Sequence, residues 1–216
     1  MKRFILPCVA VLALALSLPA SATIISVDHS SLANDGYVPD YDASGWASTI
    51  NLSGEQYAGL TVQSVSVNFT IAGGFNGDLY GYLVHDTGGF VVLLDRVGSN
   101  GNPYGFSNSG FDDVTLASAG SSISSPGAGG ASYSSTAAVS SGTYQAQGNT
   151  FNSFTGSDVS GAWTLFFADR SSGDISQVTG WTLEINAVPE PTTWAMIFFG
   201  AVFAGQRVWV WRKRTA

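Results

Sequence analysis

The sequence contains a single cysteine, Cys8, among 216 residues. A disulfide needs two thiols, so no intramolecular disulfide can hold this chain together. Cys8 also lies in an N-terminal segment that we expect to be removed, as described below. The exported part is then free of cysteine, and its stability must come from the burial of apolar side chains.

Basic residues are nearly absent from the interior of the chain. Between positions 23 and 187 there are 14 acidic residues and only two basic ones, Arg96 and Arg170, with no lysine. Nucleic-acid binding requires cationic side chains that neutralise phosphates, so the sequence excludes a nucleic-acid partner. Lysine-dependent acyl transfer and Schiff-base chemistry are excluded from this stretch for the same reason. An acidic domain of this kind repels anionic surfaces and attracts divalent cations.

Motifs of hydrolytic enzymes are also missing. There is no Gly-x-Ser-x-Gly elbow and no His-Glu-x-x-His pair, and His29 and His85 are the two histidines of the sequence. We therefore expect no catalytic residue. One alternative stays open, a Ser–His–Asp constellation around His85, because such triads are recognised by geometry and not by chain order.

The first 22 residues have the order of a secretion signal. A positive start, an apolar stretch and small residues at the cleavage positions follow one another: Lys2, Arg3, Val9 to Leu18, Ala20 and Ala22. This order predicts a signal peptide over residues 1–22 with a short helix, and Thr23 as the first residue of the mature chain.

The C-terminal residues 188–216 combine a proline motif, an apolar run and a basic end. The motif and the end are Val188, Pro189, Glu190, Pro191 and Arg212, Lys213, Arg214. This order resembles the PEP-CTERM sorting signal, which exosortase-type transpeptidases recognise on exported proteins of Gram-negative bacteria. The resemblance implies a transmembrane helix over residues 194–211 in the inner membrane, with the basic end as the cytoplasmic stop. It also implies later processing and transfer to the cell surface or extracellular matrix, as in a biofilm.

The apolar run departs from a simple membrane span. A spanning helix needs about 20 apolar residues, whereas the stretch from Trp194 to Trp211 is interrupted by Gln206 and Arg207. A plain C-terminal anchor that is never cleaved is the alternative. On either interpretation, we expect the prolines of the motif to end the preceding strand and to keep the chain extended.

Alternation of apolar and polar residues dominates the segment between the two ends. It is clearest from Val65 to Ile71 and recurs at 79–84, 90–94, 163–168 and 181–185. This period predicts an all-β domain over residues 23–187, a jelly-roll-like antiparallel β-sandwich. Residues 117–150 are rich in serine and glycine, and we expect a long flexible loop there because large side chains to bury are scarce.

Short motifs within the domain carry a second resemblance. They contain tryptophan or aspartate, in all but one case together with glycine, and are Gly77-Asp78-Leu79, Gly110-Phe111-Asp112-Asp113, Gly161-Ala162-Trp163-Thr164-Leu165, Ala168-Asp169 and Gly180-Trp181-Thr182-Leu183. In order and spacing they resemble the P domain, or Homo B domain, that follows the catalytic domain of subtilisin-like proprotein convertases. The resemblance covers residues 60–185 and implies a jelly-roll sandwich that serves as an accessory module of a protease.

Four of these residues are expected to be architectural. Trp163 and Trp181 are large enough to anchor a core in which each indole N–H needs an acceptor. Asp78 and Asp169 lie at strand ends, where a carboxylate can accept backbone N–H groups of a turn.

Calcium is the one cofactor that the acidic composition favours, because Ca²⁺ is bound by carboxylate and carbonyl oxygens. The candidate ligands are Asp40, Asp42, Asp112 and Asp113. None of them lies in an Asp-x-Asp-x-Asp-Gly loop, so the alternative is a set of solvated turn carboxylates and no cofactor at all.

A carbohydrate-binding or adhesive sandwich is an alternative function for the exported part, with extracellular polysaccharide as its partner. The aromatic candidates are Tyr37, Tyr41, Trp46, Tyr80, Tyr82, Tyr104 and Tyr144. Tyrosines on a sheet face can equally be ordinary packing residues. An accessory domain linked to subtilisin-like proteolysis is a further alternative.

Overall fold

The computed structural model describes residues 21–99, 104–148, 151–190 and residue 200. The described residues form ten strands: β1 Thr23–His29, β2 Trp46–Leu52, β3 Leu60–Gly73, β4 Leu79–His85, β5 Phe90–Asp95, β6 Phe111–Ala117, β7 Ser121–Ser122, β8 Gly142–Gln145, β9 Gly161–Asp169 and β10 Ser176–Pro189. Ala20, Pro191, the basic end Arg212, Lys213 and Arg214, and the predicted signal and membrane helices lie outside the described residues, apart from residues 21–22 and 200.

The strands form two sheets that face each other. One sheet has six strands in the order β1-β10-β3-β6-β8-β7, and the other has four in the order β2-β9-β4-β5. Neighbouring strands are antiparallel, except that β8 runs parallel to both β6 and β7. The predicted all-β sandwich is therefore confirmed. No helix within the described ranges combines the length and the apolar character that crossing a membrane requires.

Alternation within the strands creates the core. In β4 the residues are buried and half-buried in turn, as the period-two pattern requires, and β9 follows the same rule over most of its length. Aromatic side chains pack in the core between the sheets. The ring of Phe69 on β3 lies 5.3 Å from that of Phe167 on β9 in the other sheet, and 5.7 Å from that of Phe111 on the neighbouring strand β6. Both contacts are edge-to-face, which suits the charge distribution of aromatic rings.

Two tryptophans complete the core with satisfied N–H groups. Trp181 on β10 donates its indole N–H to the Ser48 hydroxyl on β2 over 3.0 Å and so ties the two sheets together. Trp163 on β9 donates to the Val159 carbonyl over 3.1 Å, and its side chain is fully buried. A buried indole N–H without an acceptor would cost about 1–3 kcal/mol, so these bonds allow both rings to be buried.

The serine- and glycine-rich segment 117–150 differs from the expected loop. It contributes β7 and β8 to the six-stranded sheet and buries Ile123, Val139 and Tyr144. Three of the large side chains in the segment thus face the core, whereas Tyr133 is exposed. The composition argument failed because three well-placed apolar residues are enough to hold a segment whose backbone pairs with a sheet edge.

Strand β10 continues beyond the predicted domain end at residue 187. Ala187 pairs with Val62, Val188 pairs with Thr61, and the strand ends at Pro189. Proline is tolerated there because Glu190 donates its N–H toward β3. Since successive amides point to opposite sides of a strand, the proline nitrogen faces away from that ladder.

Candidate functional site

The proline motif begins inside the sheet. Val188 and Pro189 lie opposite Thr61 and Leu60 of β3, and the Glu190 N–H donates to the Gly59 carbonyl over 2.8 Å. All three motif residues are partly buried. The described chain therefore reaches the motif as a paired strand and not as a free linker.

The expected ends of the mature chain lie next to each other. Thr23, the first residue of β1, pairs with Ala187 on β10, and the two strands stay in register as far as His29 and Trp181. Ala22, the last residue of the expected signal, directly precedes this pair and is exposed. Both terminal segments therefore leave the sandwich from the same end of the six-stranded sheet.

Two buried carboxylates, Asp78 and Asp169, lie near each other at one end of the four-stranded sheet. Asp169 ends β9 and pairs with Leu79, and the Arg170 N–H donates to the Asp78 carbonyl over 2.9 Å. Asp169 is 1% exposed, and its Oδ1 accepts the Ser171 N–H over 3.0 Å. This turn geometry is what the sequence predicted for a strand-end aspartate.

The surroundings of these two carboxyl groups disfavour their ionised form. Burial is the main cause that raises the pKa of the Asp169 carboxyl to about 6. The negative charges of Asp78, Asp40 and Asp174 also raise this pKa, whereas the hydrogen bond from the Ser171 N–H lowers it. Burial also raises the pKa of Asp78, opposed by a hydrogen bond from Ser171 and by the charge of Arg96. The Arg96 guanidinium lies 3.8 Å from the Asp78 carboxylate, which is a loose ion pair. The site thus holds more negative charge than its cations neutralise.

A cavity of about 670 Å³ opens beside Asp78. Its aromatic and polar wall residues are Tyr41, Phe75, Asp78, Tyr104, Phe106, Ser107, Tyr133, Arg170, Ser171 and Ser172. The mixture of aromatic rings, hydroxyls, one carboxylate and one guanidinium is typical of a site for a polar organic ligand.

Some of the other aromatic candidates are buried in the core, and others lie on the surface of the domain. Trp46 and Tyr144 are core residues, with their N–H and O–H groups donated to the Ala33 and Ser140 carbonyls. Tyr82 stacks on Phe166 at a ring distance of 4.6 Å on the outer face of the four-stranded sheet. Tyr80 lies edge-on to Tyr82 on the same face, and Tyr37 is exposed near β10.

The predicted calcium ligands are not brought together. Asp42 accepts the Ser44 N–H in an exposed turn, and this backbone bond lowers its pKa. Asp40 instead accepts the Gly173 N–H, and Asp113 accepts the Asn68 amide across β6 and β3, next to Asp112. Among the residues that the structure describes, no group of three or more carboxylates, imidazoles or thiols is placed to hold a metal ion. Calcium binding stays a prediction from composition.

His85 is sealed inside the sandwich. Its ring stacks on Trp163 at 4.2 Å, its side chain has no solvent exposure, and its Nδ1 lies 2.9 Å from the Thr87 hydroxyl. Burial lowers its pKa, although the charge of Asp86 opposes this shift. The Asp86 carboxylate lies 3.4 Å from Nε2 on the same turn. The imidazole is therefore packed as a core group, and no substrate can reach it in this conformation.

Two buried asparagines that the sequence analysis did not single out organise the loops beside the cavity. Asn76 bonds both the N–H and the carbonyl of Gly110, each over 2.8 Å. Asn108 donates to the Gly130 and Ala137 carbonyls and accepts the Ser132 N–H. Both are completely buried. Asparagine in a glycine- and serine-rich stretch is usual for exposed turns, so composition alone gave no signal for these bonds.

Comparison with known proteins gives a family match for the C-terminal end of the chain and only low-identity structural matches for the rest. Residues 187–214 match the family model described as the PEP-CTERM protein-sorting motif. No curated protein matches the chain.

Five solved chains resemble it, and two of them belong to structures of a serine protease. One is the serine protease of Aeromonas sobria in complex with its chaperone ORF2, at 15% identity and a TM-score of 0.49 over 79% of this chain. The other is the serine protease of Aeromonas sobria, at 16% identity and a TM-score of 0.46 over 78% of this chain. In each case the match covers 27% of the solved chain, so the present chain spans about a quarter of those proteins.

Proposed function

We propose that this chain is an exported, non-catalytic β-sandwich that an exosortase-type transpeptidase sorts to the cell surface or extracellular matrix. The observation that carries the proposal is the match of residues 187–214 to the PEP-CTERM motif, directly at the strand that closes the sandwich. A folded module followed at once by a sorting tail is the arrangement that such delivery requires.

The position of the motif suggests where processing can act. Val188 and Pro189 pair with the start of β3, and Glu190 bonds Gly59, the residue before β3. Removing these residues from the sheet would break this pairing. Proteolytic enzymes act on segments that are locally free of such pairing. We therefore expect the tail to be cut on the C-terminal side of Glu190, so that the mature domain keeps its complete last strand.

The arrangement of the termini is compatible with both processing events. Thr23 and Ala187 are paired neighbours, so the signal peptide and the tail leave the domain at the same end. A protein held in the inner membrane by its tail would present this end to the membrane and the remainder of the sandwich to the periplasm. Its 14 acidic residues between positions 23 and 187 would then keep the domain away from anionic headgroups.

The role of the delivered module is structural or binding. The P-domain resemblance of residues 60–185 supports an accessory role, and the architectural placement of Trp163 and Trp181 is compatible with it. A link to subtilisin-like proteolysis through such a domain is part of the same proposal. Within the described residues, the one histidine considered for catalysis is buried against Trp163.

Carbohydrate recognition is a second candidate function, favoured by the cavity beside Asp78. Exposed aromatic rings next to hydroxyl and charged groups can bind sugars by stacking and hydrogen bonding. Binding of the purified full-length protein to a panel of neutral oligosaccharides would support this function, and no binding to the whole panel would refute it.

The sorting proposal is tested by removing the tail. A variant that ends at Glu190 keeps every paired strand residue and lacks the rest of the motif, the apolar run and the basic end. We expect it to leave the membrane and surface fractions of the native host and to appear in the soluble periplasm. Arg214→Lys, which keeps the positive charge, is the matched control and should be sorted as the wild type. Unchanged surface retention of the truncated variant would refute the proposal.

A further inference from the structure

Exposed aromatic side chains are concentrated at one place on the molecule. Eight large apolar side chains are exposed among the described residues, and four of them line the cavity beside Asp78: Tyr41, Phe75, Tyr104 and Tyr133. The exposed fractions of Tyr41 and Tyr104 are 71% and 76%. Apolar surface of this kind, gathered at a concave site, marks a binding site more often than scattered single residues do.

The structure holds one of these rings in a fixed orientation and gives the residue of another a strained backbone. The Tyr133 hydroxyl donates to the Gly98 carbonyl over 2.7 Å, and its ring packs edge-on against buried Phe106 at 4.8 Å. Tyr41 adopts a φ of 50°, a left-handed conformation that is unfavourable for a bulky side chain. Such backbone strain is concentrated at ligand sites, where the rest of the fold compensates for it.

The polar groups of the cavity are suited to hydroxyl recognition. Asp78 supplies a carboxylate that takes a hydrogen bond from Ser171 and lies 3.8 Å from the Arg96 guanidinium; because an ionised carboxylate has about four acceptor positions, it can accept further hydrogen bonds. Arg170 supplies a guanidinium from an exposed side chain, and Ser107, Ser171 and Ser172 supply hydroxyls. A sugar ring offers the complement, with an apolar C–H face for the tyrosines and hydroxyls at its rim for these groups.

We propose that this cavity binds one pyranose unit of a neutral glycan, with Tyr41 and Tyr104 stacking on the sugar and Asp78 bonding its hydroxyls. This inference rests on the carbohydrate-binding function put forward above and assigns it to a site. The volume of about 670 Å³ lies within the usual range for small-ligand sites, about 300–1,000 Å³.

The charges around the cavity favour a neutral sugar over an anionic one. Asp40, Asp78, Asp169 and Asp174 act on one another electrostatically, and each of the other three raises the pKa of Asp169. A uronate or sulfated sugar would add negative charge where the protein already holds an excess. We therefore expect oligomers of glucose, mannose or galactose to bind and oligoguluronate not to bind.

A second aromatic surface provides the internal control. Tyr82, Phe90 and Phe166 lie on the outer face of the four-stranded sheet, and their rings pack on one another at 4.6–5.2 Å. Their faces are partly covered by this mutual stacking, and none of them lines the cavity of Tyr41 and Tyr104. Tyr82→Ala thus removes a tyrosine of similar chemistry at a different place.

The test is calorimetric titration of the full-length protein in detergent with neutral oligosaccharides of glucose, mannose and galactose. Tyr104→Ala, Tyr41→Ala and Asp78→Asn should each weaken binding by about tenfold or more, whereas Tyr82→Ala should leave it unchanged. Thermal melting of each variant shows whether it is folded.

Three outcomes distinguish binding at the cavity, binding elsewhere on the domain and no carbohydrate binding. Loss of binding in Tyr104→Ala and Asp78→Asn with retention in Tyr82→Ala supports the cavity. Loss in Tyr82→Ala alone overturns the cavity and leaves carbohydrate binding in place on the sheet face. No binding by the wild type to any of the oligosaccharides overturns both, while the sorting proposal is judged separately by the tail deletion.

Discussion

Pro189, the second residue of the sorting motif, lies opposite Leu60 in the antiparallel ladder between β10 and β3. The start of the motif therefore belongs to the last strand of the sandwich, and the bonding that the structure describes extends to Glu190. The folding of the domain and the processing of its tail therefore involve the same strand, because the last strand must stay paired with β3 for the core to remain closed. Val65, Val67 and Phe69 on the same β3 strand are all core residues.

The pairing predicts slow hydrogen exchange at the start of the motif. The Glu190 amide donates to Gly59, so it should be protected in hydrogen exchange measured by mass spectrometry on the full-length protein. A peptide covering the turn at residues 54–56, which is exposed, is the internal reference. We expect exchange at Val188 and Glu190 to be at least about tenfold slower than in that turn. Equal rates would show that the motif is a free linker.

The buried carboxylate of Asp169 predicts a stability that depends on pH. Its pKa in the folded protein is raised to about 6 by burial, whereas 3.8 applies to the unfolded chain. The folded state therefore binds the proton more tightly, and this stabilisation is complete below pH 4 and is lost as pH rises through 6. Asp169→Asn keeps an acceptor for the Ser171 N–H and carries no charge.

The two proteins should therefore differ near neutral pH and converge in acid. At pH 7.5 the Asp169→Asn variant should be more stable than the wild type by about 1–3 kcal/mol in urea unfolding, and near pH 4 the difference should vanish. His85, whose lowered pKa acts in the opposite direction, is present in both proteins and cancels in the comparison. A difference that is constant from pH 4 to 7.5 would contradict the assigned pKa.

Asn108 predicts how the serine- and glycine-rich segment is held. Its side chain satisfies the carbonyls of Gly130 and Ala137 and the N–H of Ser132. Asn108→Ala leaves these buried groups without partners and should lower the free energy of unfolding by about 2–4 kcal/mol. Asn51→Ala, at an exposed position on β2, is the control and should change it by less than about 0.5 kcal/mol. An equal effect of both substitutions would refute the role of Asn108.

The sequence was sufficient to predict five of the ten described strands, β3, β4, β5, β9 and β10, because each of them has one face toward the core, whereas β1, β2, β6, β7 and β8 were not predicted. The alternation at 65–71 and 181–185 follows directly from the antiparallel pairing of β3 and β10, in which Phe69 faces Trp181 across the ladder. The sorting motif at the C-terminal end was equally readable, since a sorting tail is a local pattern of proline, apolar and basic residues. Local patterns of this kind need no knowledge of the rest of the fold.

The cavity and its electrostatics could not be derived in the same way. Asp40 and Gly173 are bonded although 133 positions separate them, and Tyr41 and Tyr104 reach one site from two distant loops. The grouping of Asp40 with Asp42, suggested by their closeness in sequence, was not what the fold produced. Contacts between loops depend on the sheet order, which the residue pattern does not determine.

The intact mass of the mature protein from the native host distinguishes a processed tail from an anchor that is never cleaved. We expect a species in the surface or extracellular fraction that begins at Thr23, has lost the basic end and has its C-terminus beyond Glu190. A species in that fraction that still ends at Ala216 would contradict this expectation.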